Sequence, residues 1–472
     1  MSDLDIQHVN KSALLHRVFW RLHFWSGLLT APIVLFAALT GILYIFTPQI
    51  EAWKHGELDK VEQIRPALPL DRQVDAAMAA FPGKQIKSII PAYTVGETTQ
   101  VIFGEQRQRG KKTDNTETSK PNGHEEHQGH QMPAASKAAK VEANDHSARA
   151  ENLIVYVDPG TAKIQGSILE SGRFRNWARK LHSNMLQGDG WRWIIELGAS
   201  WMLMMMITGI YLWWPRGKAS WRSVLQYSGN NRRATWRYLH SMLSIVLGLV
   251  TLTILLTGLT WAKYAGENFR MAQNAAAQNT PRAPKDLKSV VAINGNLALS
   301  MQAVYQQAKN QAPDVQMQLT PPKSESGVWK IDNYDRSQPG KRFQLILDAY
   351  SGNTMFQSGW EQMPVLSRAT AVGIPFHRGE FGWWNQALLV LVGVSVIFSV
   401  VSGYVMWLQR RKAGTLSAPK LERRHAQAIS WWVWLLMIAL GIALPALGIS
   451  MLLLIMIELT YLSWKKTLSP DF

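Results

Sequence analysis

Long apolar runs alternate with long polar stretches along this chain, and the alternation repeats. About 20 apolar residues are needed to cross a bilayer core of roughly 30 Å. Residues 24–46, 193–214, 241–261 and 384–407 meet that length. A fifth run, 429–464, is too long for one ordinary span. Pro445 and Gly448 divide it near its middle, so it reads as a hairpin of two short spans, with a single tilted, kinked helix as the alternative. The polar stretches carry their own pattern. In 47–190 a helical period around 70–81 precedes strand-like segments at 86–90, 98–103 and 153–157, the last entering Asp158-Pro159-Gly160. In 262–382 a helix at 297–308 precedes segments at 315–319, 328–332 and 343–347, the last entering Asp348-Ala349-Tyr350-Ser351-Gly352. Alternation such as Val315-Gln316-Met317-Gln318-Leu319 marks a half-buried strand.

The expected fold is a mainly α-helical polytopic membrane protein. It has about six transmembrane helices, two small α+β external domains and an internal duplication. A tail and first span occupy 1–46, a first external domain 47–190, a second span 191–214 and a basic loop 215–239. The third span, 240–261, leads to a second external domain at 262–382, a fourth span at 383–408, a second basic loop at 409–428 and the terminal hairpin at 429–472.

Composition sharpens this picture. The chain has 472 residues, 47% of them apolar and 21 of them Trp. Its mean hydropathy is nevertheless close to zero, so membrane spans are mixed with water-soluble regions. The net charge of +17 does not point to nucleic acid. It gathers in the short loops: Arg216, Lys218, Arg222, Arg232, Arg233 and Arg237 in one, and Arg410, Arg411, Lys412, Lys420, Arg423 and Arg424 against Glu422 in the other. Such loops face the cytoplasm, which places both termini inside and both large loops outside. The first apolar segment follows Asp3 and Asp5 and is too long for a signal-peptide core, so it reads as a retained anchor. The absence of cysteine excludes disulfides, iron–sulfur clusters, thiolate zinc sites and covalent c-type haem, but not haem held by histidine. Residues 106–150 are polar and are expected to be disordered. Their His124, His127 and His130 read as part of a solvated linker or as a weak, exchangeable metal tract.

Four histidines stand at the mouths of the apolar runs. His23 and His240 each follow a Trp-Arg, and each precedes the Gly of a Leu-Thr-Gly, Gly41 and Gly258, by 18 residues. His182 and His377 each precede a Gly-Trp step, an apolar run and a Thr/Ser-Gly, at Gly209 and Gly403. Span direction puts His23 and His240 at the cytoplasmic side and His182 and His377 at the external side. Haem iron takes one axial ligand on each face, so two histidines on two helices can hold one b-type haem. The arrangement allows two haems, one near each membrane face. The bland alternative is four interfacial histidines among tryptophans. His16, seven residues before His23, competes with it as a ligand. Arg21, Arg237, Arg378, Arg179 and Lys180 lie within three residues of a candidate ligand and could pair with haem propionates; membrane-edge snorkelling is the other reading. Arg173 and Arg175, with Arg179 and Lys180, form an electropositive patch that could attract an anionic substrate.

The motifs Trp20-Arg21-Leu22-His23 with Leu39-Thr40-Gly41, and Leu181-His182-Ser183 with Thr208-Gly209-Ile210-Tyr211-Leu212-Trp213-Trp214, resemble the PepSY-associated transmembrane family. That family includes FoxB-type inner-membrane ferric-siderophore reductases and related iron-uptake proteins. The likeness covers essentially the whole chain outside 106–150. It implies PepSY-like external domains, two haem b groups ligated by His23, His240, His182 and His377, and electron transfer across a bacterial inner membrane. The expected activity is haem-dependent reduction of Fe(III) in a ferric siderophore or other ferric chelate, fed by a cytoplasmic electron donor of unidentified kind. No Gly-rich dinucleotide turn is present, so no nicotinamide domain is expected. Two rivals stay open: a non-enzymatic PepSY-type protein that binds or regulates external proteins, and a metal-handling transporter. Glu196 and Glu458 are almost the only acidic residues in the spans, which leans against transport.

Overall fold

The computed structural model describes residues 11–104, 151–216, 220–227, 231–290, 297–415 and 430–468. The His124–His127–His130 tract, Lys218, Lys420, Glu422, Arg423 and Arg424 lie outside them. The first half runs through α1 (Lys11–Ile45), α2 (Thr47–Asp59), α3 (Leu70–Ala80), strands β1 (Gln85–Ile90), β2 (Thr99–Gly104), β3 (Leu153–Val157) and β4 (Ile164–Leu169), then α4 (Phe174–Asn184) and α5 (Arg192–Trp213). After a short α6 (Trp221–Leu225), the second half runs through α7 (Arg232–Val246), α8 (Gly248–Leu259), α9 (Ala265–Ala275) and α10 (Met301–Gln311). Strands β5 (Met317–Thr320), β6 (Val328–Asn333), β7 (Phe343–Asp348) and β8 (Thr354–Gly359) follow, then α11 (Val365–His377) and α12 (Trp383–Arg410). Helices α13 (Trp431–Ala443) and α14 (Pro445–Leu468) close the chain.

Three helical segments among the described residues are long and apolar enough to cross a membrane: the one that α1 continues into α2, α5, and α12. A fourth candidate is the pair α7–α8, bent by 61°. The expected span at 241–261 is thus a broken one. The break falls at Leu247, before Gly248, where the Thr251 hydroxyl bonds back to the Leu247 carbonyl. A glycine and a back-bonding threonine both favour such a bend. Helices α13 and α14 are shorter apolar helices packed on each other, with Gly441 and Gly448 in backbone contact. Helix α1 carries Pro32 in its interior. Proline cannot donate to the carbonyl four residues back, and the Tyr404 hydroxyl of α12 donates to that Leu28 carbonyl instead, at 3.2 Å.

The two external segments do not form two separate units. Their strands make one antiparallel sheet, β4-β3-β2-β1-β5-β6-β7-β8, joined at its centre where Ile89 faces Leu319. Helices α3 and α10 supply Val74, Ala77, Val304 and Ala308 to its core, against Val101, Val155, Ile331 and Leu345. They also cap each other. Asp71 accepts from the Met301 and Gln302 amides, and the Gln302 side chain accepts from the Leu70 amide. These bonds satisfy helix N-terminal donors that have no partner within their own helix. Each edge strand then passes through a single 3-10 turn into a helix bearing a histidine: β4 into α4 with His182, and β8 into α11 with His377.

Glu196 and Glu458, the acidic residues of the expected apolar runs, have structural employment. Buried Glu196 accepts from the Tyr264 and Ala265 amides at 2.8 and 3.0 Å, at the start of α9. A carboxylate there is favoured by the helix dipole. Glu458 of α14 pairs with Arg21 of α1 at 2.6 Å.

Candidate functional site

Each of the four histidines meets a hydroxyl on a neighbouring helix through Nδ1. His23 meets Thr208 of α5 at 3.0 Å, and His182 meets Thr40 of α1 at 3.0 Å. His240 meets Ser402 of α12 at 2.8 Å, and His377 meets Thr257 of α8 at 3.1 Å. Every one of these hydroxyls also lies within reach of a carbonyl one turn back in its own helix: Met204, Phe36, Ser399 and Thr253 in that order. A hydroxyl has one hydrogen. When it is spent on that carbonyl, the oxygen accepts from the histidine, so Nδ1 carries the proton. A second contact agrees. Nδ1 of His377 lies 3.0 Å from the Ile254 carbonyl, which can only accept. The carbonyls at the equivalent place, Met205, Ala37 and Ser399, act on His23, His182 and His240 as acceptors. All four rings are therefore held in the tautomer that leaves Nε2 with its lone pair, the form in which an imidazole ligates a metal.

The residue after each hydroxyl is a glycine. A Cβ added at Gly41 would lie 3.4 Å from Cε1 of His182, one at Gly209 3.3 Å from His23, and one at Gly258 3.0 Å from His377. At Gly403 nothing lies within 4 Å. Three of these glycines thus make room for an imidazole laid across a helix backbone.

The hydroxyl partner always comes from the histidine's own half. The second histidine comes from the other half. The rings of His23 and His240 stand with centroids 6.4 Å apart at 87°. A metal–imidazole bond is about 2 Å, so an ion midway between two nitrogens, with about half a ring beyond each, needs roughly this spacing. His182 and His377 form the second pair, close enough for one to act electrostatically on the other. Burial, with His377 adding to it, pushes His182 down to about 4. Burial lowers His377 as well. Among the described residues no three His, Cys, Asp or Glu gather to hold a metal. Two imidazoles are too few for an ion held by protein alone. They are what an iron already held by a porphyrin takes on its two axial faces, so the donor set fits haem.

The model of the PepSY-associated TM region matches residues 20–410. The chain belongs to that family. The match begins three residues before His23 and ends with α12, so it contains all four histidines, their hydroxyls and the whole sheet. It leaves α13 and α14 outside. A comparison with curated proteins finds no match.

Within this PepSY-associated framework the flanking cations divide. Arg21 is paired with Glu458. Arg378 is paired with Glu380, which Arg175 also approaches at 3.3 Å. Arg173 bonds the Tyr156 hydroxyl, and the Arg175 amide bonds Glu51 at 2.8 Å. Arg179 reaches Asn176 at 3.5 Å. The side chains of Lys180 and Arg237 have no hydrogen bond or ion pair among the described residues. The patch expected at Arg173, Arg175, Arg179 and Lys180 is therefore partly tied down by internal partners. His16 is turned to Arg216, 2.8 Å from its Nδ1; a guanidinium only donates, so that nitrogen accepts. His16 thus has a hydrogen-bonding role of its own, opposite in sense to that of His23. The sequence marks Thr40, Thr208, Thr257 and Ser402 only as members of the repeated Thr/Ser-Gly steps, not as partners of the histidines. Their signal was present, since each precedes one of the four repeated glycines.

Proposed function

We propose that this PepSY-associated protein is a di-haem b-type membrane reductase that moves electrons from the cytoplasmic side to the outside and reduces Fe(III) in a ferric siderophore or similar chelate. One observation carries the reading: four imidazoles, each locked with Nε2 free, arranged as two cross-half pairs near opposite ends of the spans. Structural histidines have no need of a common tautomer or of a glycine cut away beneath the ring. Haem bound at each pair supplies one-electron redox chemistry. The protein's part is to fix each imidazole through Nδ1 and to hold the two stations apart. His23 and His240 would serve as the cytoplasmic station, His182 and His377 as the external one.

The orientation rests on charge. Basic residues crowd the segments at the ends of α5 and α12 away from the sheet, which by the positive-inside rule face the cytoplasm. In this reading α13 and α14 complete six spans in a bacterial inner membrane, and both termini are cytoplasmic. Glu196 and Glu458 are occupied as a helix cap and an ion-pair partner, which leans against a polar mid-span path of the kind a transporter uses. An absorption spectrum of the purified protein, oxidised and reduced, tests the proposal. A Soret band with reduced α/β bands and a haem-to-protein ratio near two is expected. Protein made with ample haem that shows no Soret band would exclude it.

A further inference from the structure

The sequence points to Arg173, Arg175, Arg179 and Lys180 as the external substrate site, and internal partners hold two of these. Another cationic feature lies beside the segments that hold His377. A cavity of about 350 Å³ opens where the sheet-side ends of α5 and α8 meet α9 and α11. Arg192, the first residue of α5, enters it and bonds the Trp261 carbonyl through one of its nitrogens. Arg270 enters from α9, is exposed, and makes no ion pair among the described residues. Trp261 and Phe269 give the cavity aromatic walls, and no carboxylate lines it. Two guanidiniums with aromatic faces suit a planar or multidentate organic anion.

Its position matters as much as its charge. Thr260, on the cavity wall, donates to the carbonyl of Thr257 at 2.7 Å, and Thr257 is the residue that holds His377. Thr370, on the opposite wall, belongs to α11, the helix that carries His377. It precedes that histidine by two turns, about 10 Å of helix. Between them Gly373 packs against Thr257, with a would-be Cβ 2.6 Å from its methyl carbon. The cavity thus shares two of its wall residues, Thr260 just past α8 and Thr370 of α11, with the segments that hold His377.

We propose that this cavity receives an anionic metal chelate, its carboxylate or catecholate arms gripped by Arg192 and Arg270. The site rests on the reading of the outer histidine pair as a redox station for its purpose, but not for its binding. A haem held by His182 and His377 would supply the single electron that takes the bound Fe(III) to Fe(II); no bond to the protein forms, and the weakened chelate leaves through the open side of the cavity.

Gallium(III) citrate tests the site without electron transfer, because Ga(III) carries the same charge as Fe(III) and is not reduced under these conditions. Calorimetric titration of the whole detergent-solubilised protein should show saturable binding. Arg270→Gln, at an exposed position, should weaken it by about tenfold or more through loss of one charge-assisted contact. Arg192→Gln should weaken it as much, and both variants should keep the haem content of the parent. Unchanged gallium citrate affinity in both variants overturns the proposal. So does loss of a co-purifying phospholipid from them with chelate affinity intact, which would make the cavity a lipid headgroup site. Chelate binding in a protein without a Soret band would uphold the cavity and sink the di-haem reading. A normal Soret band without chelate binding would do the reverse.

Discussion

The two halves of the molecule set the same two histidines on different backbones. In the first half His23 and Gly41 share one continuous helix, α1, in spite of Pro32. In the second half the same interval of 18 residues, His240 to Gly258, is broken at Leu247 and bent by 61°, with no proline there. Yet the contacts at its two ends barely differ. The Nδ1–hydroxyl distances are 3.0 and 3.0 Å in one half, 2.8 and 3.1 Å in the other. Helix straightness therefore does not set the sites. They are set locally, by a hydroxyl and a backbone carbonyl on the facing helix and, at three of the four, by the glycine that follows. The duplication preserves the sockets and lets the helices between them vary.

The largest test of this comparison asks which histidines belong together. Cross-half pairing predicts that His182→Ala with His377→Ala costs only one haem, about half the total, because both belong to one site. His23→Ala with His377→Ala should cost both. A pyridine haemochrome assay reads the ratio directly. If the pairs lay within a half, for instance His23 with His182, the first double variant would lose both haems.

The glycines should separate the four sockets next. Alanine at Gly258 must push the His377 ring, since its Cβ would sit 3.0 Å from Cε1. Gly209→Ala and Gly41→Ala are milder, and Gly403→Ala meets nothing. The expected order of disturbance in the low-spin haem EPR signals is Gly258, then Gly209 and Gly41, then Gly403 with none. A signal shift from Gly403→Ala as large as from Gly258→Ala would show that these contacts do not position the rings. Removing the hydroxyls should do less than removing a ligand. Thr40→Val, Thr208→Val, Thr257→Val and Ser402→Ala each leave a carbonyl on Nδ1. Haem should stay bound, with affinity lower by about tenfold, the small end of such outer-contact effects. Haem retention during dialysis against apomyoglobin measures it, and retention equal to the parent in all four would deny the hydroxyls any part.

Most of this architecture was legible as repetition. The histidines, the apolar runs of α1, α5, α7–α8 and α12 and six of the eight strands stood out because each was seen twice. The bend at Leu247 was not legible, because a glycine in an apolar run more often serves helix packing. Strands β4 and β8, Ile-Gln-Gly-Ser-Ile-Leu and Thr-Met-Phe-Gln-Ser-Gly, are edge strands with mixed faces and lack the burial that imposes clean alternation. The union of two expected domains into one sheet depends on β1 meeting β5 across more than two hundred residues, with Ile89 opposite Leu319. Nothing local encodes that meeting. The role of the four hydroxyls is not legible for a related reason: a threonine in a membrane helix ordinarily satisfies itself on its own carbonyl, and only the facing ring gives it a second role.

The smallest expected effect concerns why α1 stays continuous while α7–α8 does not. Pro32 frees the Leu28 carbonyl, and Tyr404 of α12 fills it. Tyr404→Phe should therefore cost about 0.6 kcal/mol, the usual worth of a hydrogen bond between membrane helices, in an SDS-unfolding titration. The effect should vanish in a Pro32→Leu background, where the backbone N–H regained at that position would satisfy the Leu28 carbonyl from within the helix. A double-variant cycle separates this from lost packing. Coupling near zero, with Tyr404→Phe equally costly in both backgrounds, would mean that the tyrosine stabilises α12 by other contacts. Coupling equal to the whole effect would mean that the first half keeps its straight helix by borrowing a donor from the second, and that the broken helix of the second half, having no proline, needed none.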